Sequence, residues 1–212
     1  MNNQEEININ DERKIRLKKL ADLSKSGINP YPAQTIRNFT LKQALEKSDG
    51  EIVTVAGRIM TKREMGKLTF CHLQDETGKI QIAFKQDIIG TDSYKLFTKK
   101  IDSGDIISIE GERFMTHKGE KSILVKKWTL LSKALLPLPD KFHGLNDEEL
   151  RYRKRYLDFL INPEQKEKIL VRSRVLRYMR EFMYQAGFIE IETPVLETIS
   201  SGAMAKTFNT HL

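Results

Sequence analysis

A single cysteine, Cys71, occurs in the 212 residues, which excludes an internal disulfide framework and fits a reducing compartment. No apolar run approaches the length of a membrane span. The opening Met1-Asn-Asn-Gln-Glu-Glu6 is too polar for a secretory signal, and its acidic residues argue against an organellar transit peptide, so the cytoplasm is the expected location. His72, His117, His143 and His211 show no metal-ligand spacing, and a lone cysteine cannot complete a zinc cluster. No Walker-type phosphate loop and no internal repeat is present. The one tryptophan, Trp128, falls in a strand-like run and reads as core or rim packing. What the chain does have is an excess of lysine and arginine over acidic residues, 36 against 29, which favours a polyanionic partner. A hydrophobic content of 39% is enough for two modest packed domains.

The stretch from Glu51 to Leu131 reads as five strands. Glu51 to Thr61 puts Val53, Val55 and Ile59 on one side; Leu68 to Gln74 follows across a turn centred on Gly66. Gly78 to Phe84 alternates, with Ile80, Ile82 and Phe84 inward and Lys79, Gln81 and Ala83 outward. Asp75-Glu-Thr-Gly78 has hairpin turn chemistry. Ser93 to Ile101 suits a helix, and the last two strands, Asp105–Phe114 and Lys121–Leu131, meet at Lys118-Gly119-Glu120. Three strands, a helix and two strands is the order of a Greek-key barrel of the OB type, whose second and third strands bind oligonucleotides. Two registers are open. If Cys71 and Leu73 face inward, Leu68, Phe70 and His72 face outward, with Phe70 beside Gln81 and ringed by Arg58, Lys62, Arg63 and Lys67. An aromatic ring, an amide and cations are what an unstacked base requires. A slip of one residue makes Phe70 core instead and leaves the cations as a solvated surface.

Before the barrel, residues 1–11 are polar and expected to be mobile, and Glu12 to Ser26 places Leu17, Leu20, Ala21 and Ser24 at helical spacing. That basic helix either touches an RNA backbone or lies along the barrel. Gly27 stops it, Asn29-Pro-Tyr-Pro32 is extended, and Thr40-Leu-Lys-Gln43 fits a capping box for a helix to about Lys47. Beyond the barrel, Leu135 to Gly144 cannot be helix or central strand and serves as a connector. Asn146-Asp-Glu-Glu149 resembles a capping box opening a helix through Leu157, whose cations either meet RNA or pair with the acidic first turn. Asn162-Pro163 is the expected start of a helix to about Ala186, with Val175, Met179, Phe182 and Met183 on one face and Gly187 as its stop. Phe188 to Pro194 reads as a strand ending or lying at an edge. One helix and one strand cannot close a core by themselves.

From about Arg16 to Leu212 these residues resemble the N-terminal part of a class II, subclass IIb, lysyl-tRNA synthetase. Gly27-Ile-Asn-Pro-Tyr-Pro32, Val55-Ala-Gly-Arg58, Leu73-Gln-Asp75 and Gly78-Lys-Ile-Gln81 match landmarks of that family's barrel. Pro137-Leu-Pro-Asp-Lys-Phe-His-Gly-Leu145 followed by Arg151-Tyr-Arg-Lys-Arg-Tyr-Leu-Asp158 is the most specific match. Arg174 to Leu196 is similar to motif 1, and Ser201 to Phe208 to the loop lining the amino-acid pocket. Ser201, Met204 and Thr207 depart from the usual glycine, alanine and proline of that loop.

The resemblance implies an α+β fold: an N-terminal helical extension (1–50), an OB-fold anticodon-binding domain (51–132), a connector (133–161) and an incomplete antiparallel catalytic domain holding its first helix and strand (162–212). It implies anticodon binding by Phe70, which stacks on a uridine, with Gln81, Arg63 and Arg58 and with Glu120 near a neighbouring base. It implies lysine binding at Gly202 and Ala203, and homodimerisation through Arg174, Phe182 and Pro194. The implied reaction joins lysine to tRNA-Lys at the expense of ATP, with Mg2+. The arginines and carboxylates that hold ATP and magnesium lie beyond Leu212 in the family, so these 212 residues alone are expected to be inactive, as a fragment or a truncated product. Two alternatives are a non-catalytic tRNA-binding protein and an aspartyl- or asparaginyl-type synthetase.

Overall fold

The computed structural model describes residues 3–139, 145 and 147–194, and for residues 3–10 the backbone alone. The described chain falls into two compact units, one ending at Asp140 and one beginning at Lys141.

In the first unit, α1 (Asn3–Lys25) leads to α2 (Leu41–Glu46) and then to β1 (Ile52–Met65), β2 (Leu68–Gln74) and β3 (Lys79–Lys85). Two helices follow, α3 (Gln86–Ile89) and α4 (Thr91–Lys100), and then β4 (Ile106–Met115) and β5 (Lys121–Ser132). The strands close into a barrel in the order β1-β2-β3-β5-β4, with β4 returning to β1. All pairings are antiparallel except β3 with β5. This is the expected Greek-key barrel of the OB type. Its turns use the anticipated chemistry: Gly66 takes a positive φ of 64° between β1 and β2. The Asp75 carboxylate accepts from the Thr77 and Gly78 amides between β2 and β3.

Alternation fills the interior. Val53, Val55, Ile59, Cys71, Leu73, Ile80, Ile82 and Phe84 are all buried, joined by Ile107, Ile109, Ile123, Val125 and Leu130. From α4, Phe97 stacks on Phe84 with centroids 3.8 Å apart, and Trp128 meets Phe97 edge-on at 5.4 Å. The capping box of α2 forms as expected: Gln43 N donates to Thr40 Oγ1 and Thr40 N to Gln43 Oε1. Asp75 ties that helix to the barrel by accepting from Leu41 N at 3.0 Å.

α1 departs from expectation in two ways. Its backbone is helical from Asn3 rather than from Glu12. Its packed face is also turned: Leu23 and Arg16 are buried, whereas Leu17 is exposed. The reason is polar. Arg16 donates to the carbonyls of Ser103 and Ala134 and pairs with Glu12, so a buried guanidinium, not a leucine stripe, fixes the helix's rotation. Lys19 continues the contact by pairing with Asp102. Of the two readings for this helix, lying along the barrel is the one observed.

In the second unit, α5 (Glu148–Arg153), α6 (Arg155–Ile161) and α7 (Pro163–Gln185) replace the two helices expected. Asp147, not Asn146, caps α5 by accepting from Leu150 N, and Lys154 breaks the chain between α5 and α6. The cations there pair locally, Arg153 with Glu149 and Arg151 with Asp158. Asn162 precedes Pro163 as expected, but its side chain turns back to donate to Asp158 Oδ1 at 2.7 Å rather than capping α7. Gly187, with φ 84°, follows the end of α7. The strand expected over Phe188–Pro194 does not form a ladder. A strand needs a neighbour, and these residues have none among the described ones; Ile189 and Ile191 are largely open to solvent, at 85% and 75% exposure.

Candidate nucleic-acid interface

The outer face of β1, β2 and β3 is built rung by rung. Leu73 faces inward opposite Ile59 and Ile80. By period-two alternation Phe70, His72 and Gln74 then face outward; each is half-buried, and Phe70 and His72 alternate with the buried Thr69, Cys71 and Leu73. The slipped register is thereby removed: Cys71 is buried and Phe70 stands outside the core cluster.

Pairing fixes the neighbours. Phe70 sits opposite Arg63 on β1 and Ala83 on β3. His72 sits opposite Thr61 and Gln81, and Gln74 opposite Arg58 and Lys79. Gln81 is therefore diagonal to Phe70 rather than beside it, still within reach of a base stacked on the ring. Ala83, expected outside, is fully buried, because it lies between the Phe70 rung and β5, where it pairs with Leu124.

Two of the cations placed around Phe70 are elsewhere. A bulge at Met60 shifts the β1 register between Ile59 and Thr61, so Lys62 turns to the Cys71 side. There Lys62 Nζ donates to the carbonyls of Thr98 at 2.6 Å and Ile101 at 2.9 Å, the open C-terminal end of α4. Arg58 stays on the outer face but at its far end, with Nη1 on the Gly104 carbonyl at 2.7 Å. Burial holds the Arg58 guanidinium below its ordinary pKa, opposed by nearby Asp105. Arg63 and Lys67 are the exposed cations at the Phe70 end.

Glu120, on the turn between β4 and β5, reaches this face. Its Oε2 accepts from Gln81 Nε2 at 2.7 Å, and its Oε1 lies 3.3 Å from His72 Nε2. Ser122 Oγ donates to Gln81 Oε1 at 2.9 Å, and Thr61 Oγ1 lies 2.8 Å from His72 Nδ1. The surface next to Phe70 thus carries an ordered polar row linking β1, β2, β3 and β5. The structure brings together Phe70, Arg63, Gln81 and Glu120; Thr61 and Ser122 were not anticipated. Ser122 is invisible in a linear reading because β3 and β5 pair in parallel, and Thr61 because the Met60 bulge precedes it.

The other site residues lie on the second unit or outside what is described. Arg174 and Phe182 sit on α7, whose residues from Val171 onward are all exposed among the described residues, and Pro194 is exposed. Gly202, Ala203, Phe142, His143, His211 and residues 140–144 of the connector lie outside the described residues. Among the described residues no group of three His, Cys, Asp or Glu side chains could hold a metal ion, and no helix is long and apolar enough to cross a membrane.

Comparison with known proteins agrees with this architecture. Residues 53–131 match the OB-fold nucleic acid binding domain, and residues 147–212 match the class II tRNA synthetases of the D, K and N group. The lysine–tRNA ligase of Syntrophomonas wolfei is 47% identical over 209 residues, covering 97% of this chain and 42% of that protein. The same enzyme of Carboxydothermus hydrogenoformans is 47% identical over 206 residues (96% and 42%), and that of Listeria monocytogenes 45% over 221 residues (100% and 44%). The chain spans less than half the length of these relatives. With an OB barrel, the opening of a class II synthetase domain and these relatives along its whole length, the chain belongs to the class II lysine–tRNA ligase family and corresponds to its N-terminal part.

Proposed function

We propose that the chain is the anticodon-binding and motif 1 portion of an enzyme that attaches lysine to tRNA-Lys using ATP and Mg2+ in the cytoplasm. The half-exposed Phe70 ring on the outer wall of β2 carries this reading. Phe70 stacks on an anticodon uridine, Gln81 and Glu120 contact base edges, and Arg63 holds the backbone. Arg58, anchored to Gly104 at the far end of the face, contributes positive potential rather than a direct contact. The net charge of +7 adds sequence-independent attraction for the polyanion.

Homodimerisation runs through Arg174, Phe182 and Pro194, the first two on α7 with Val175, Met179 and Met183 at helical spacing. Gly202 and Ala203 lie against the bound lysine, where a missing or small side chain lets backbone approach a ligand. Activation joins the lysine carboxylate to the α-phosphate of ATP as the bond to the β-phosphate breaks and pyrophosphate leaves, and cations with Mg2+ would stabilise the phosphate charge. The family's residues for that task fall beyond position 212, so the 212-residue polypeptide by itself gives no lysine-dependent pyrophosphate exchange; clear exchange refutes that part.

The binding reading is tested by fluorescence anisotropy with a hairpin RNA carrying a uridine-rich, seven-nucleotide loop. Stacking on an aromatic side chain is worth about 1–3 kcal/mol per base, so Phe70→Ala weakens binding by about tenfold or more. Equal affinity of Phe70→Ala and the native chain, or equal affinity for a loop lacking uridines, overturns the proposal.

A further inference from the structure

The polar row beside Phe70 has one sense of donation throughout. Glu120, as a carboxylate, only accepts, so His72 Nε2 must carry the proton shared with Glu120 Oε1. When the ring is neutral, its bare Nδ1 accepts from the Thr61 hydroxyl at 2.8 Å. On the other side, the Ser122 hydroxyl occupies Gln81 Oε1, which turns Gln81 Nε2 toward Glu120 Oε2. Both arms converge on one carboxylate, and each of its oxygens already holds one donor.

What remains open to a ligand is the second N–H of Gln81 and the unused lone pairs of Glu120, side by side. That is a donor followed by an acceptor in fixed order. Uracil presents O4 and N3–H, an acceptor followed by a donor, and cytosine presents N4–H and N3, the reverse. A ring stacked on Phe70 in one orientation is therefore sorted by the order of these two groups, provided that Glu120 stays where it is. Glu120 sits on an exposed turn with its side chain 49% accessible, and nothing covalent in that turn restrains its rotamers. Gln81 alone holds one oxygen; His72 holds the other.

We propose that His72 is a positioning residue of the RNA-binding face: by fixing Glu120 against Gln81 it sets the preference for uracil over cytosine at the base stacked on Phe70. The inference rests on the anticodon-binding reading. Stability is not its purpose, because a pair as exposed as His72 and Glu120, at 31% and 49%, adds little to folding.

The test measures the affinity ratio between two hairpin RNAs that differ by one central loop base, uridine or cytidine, using the full chain. His72→Ala lowers the uridine preference about fivefold while the circular dichroism spectrum and unfolding midpoint stay near native. His72→Gln, which keeps a donor for Glu120, restores most of it. Thr61→Val, which leaves the imidazole in place but frees its Nδ1, gives a smaller loss in the same direction and carries the test should His72→Ala fold poorly. An unchanged ratio in His72→Ala, or no rescue by His72→Gln, overturns the positioning role with the RNA reading intact. A native chain that binds both hairpins equally overturns the RNA reading itself and this inference with it.

Discussion

Replacing Lys133 by methionine removes the ammonium group and its charge but keeps an unbranched side chain only one atom shorter. Lys133 Nζ is wholly buried and lies 2.6 Å from Asp102 Oδ2 and 2.7 Å from Asp105 Oδ2. Asp105 is itself buried and also accepts from the backbone amides of Asp102 and Ala134, both at 2.8 Å. Losing one partner of a buried pair costs about 3–5 kcal/mol, since the charge left behind is uncompensated. Here Asp105 keeps two amide donors and Asp102 keeps Lys19, so the loss falls at the low end, about 3 kcal/mol. For a unit of this size that lowers the unfolding midpoint by about 9 °C. Urea and thermal unfolding followed by the fluorescence of Trp128, which lies in the same barrel, give the number. The pH dependence is a second check. Burial raises the Asp105 carboxyl, and Lys133 is the main group opposing it. Without Lys133 the folded state binds a proton at Asp105 more readily than the unfolded chain does. Stability is then lost as pH rises through the folded pKa, so the deficit relative to native is largest near pH 8 and shrinks toward pH 5. A deficit below about 1 kcal/mol at pH 8, or one that grows on acidification, refutes the buried-pair reasoning.

The remaining predictions concern the barrel interior. Burial pushes the Cys71 thiol up to about 12, so labelling by a disulfide reagent at pH 8 waits for opening of the barrel and accelerates with urea; stoichiometric labelling within minutes in buffer contradicts its placement. A Cβ at Gly111 would lie 2.4 Å from the Leu124 carbonyl oxygen and 2.7 Å from Ile123 Cγ2. That oxygen belongs to the facing strand and cannot retreat alone, so Gly111→Ala destabilises by about 2 kcal/mol, and an unchanged thermal midpoint refutes the tight β4–β5 approach.

The barrel was legible in the sequence because its strands alternate cleanly. Ile80, Ile82 and Phe84 mark the inside of β3 by parity, and parity puts Phe70 and His72 on one face of β2 without saying which face is outer; the pairing of Leu73 with Ile59 and Ile80 decides that. What parity could not show is where it breaks. The bulge at Met60 has no signature in Arg58-Ile-Met-Thr-Lys62, yet it decides where every later residue of β1 points. The orientation of α1 escaped for a different reason: a helix is assumed to bury its leucines, but Arg16 found carbonyls at Ser103 and Ala134, some ninety and more residues away along the chain. Asn162 stands at the start of α7 as the sequence suggests, but its side chain does not cap the helix, because Asp158, four residues earlier, offers it a charged acceptor. The segment after Gly187 shows the limit of a strand-like pattern, since period-two alternation creates an apolar face but not the neighbour that must cover it.

The Met60 bulge also explains why the outer face that carries Phe70 and the helix packed into the barrel core are linked. In an unbroken β1, Lys62 would follow Arg58 and Met60 on the outer face opposite Phe70, and Arg63 would point inward opposite Thr69. One inserted residue exchanges them. Arg63 then stands exposed across from Phe70, while Lys62 enters the interior side and closes the carbonyl end of α4. The same shift aligns Thr61 with His72, which the Glu120 row requires. A lysine is suited to the inward task, because three rotatable donors can serve several carbonyls at once, and an arginine to the outward one, because its fork matches phosphate oxygens. The order Lys62-Arg63 is therefore not an interchangeable pair of cations: each is matched to the face that the bulge assigns it.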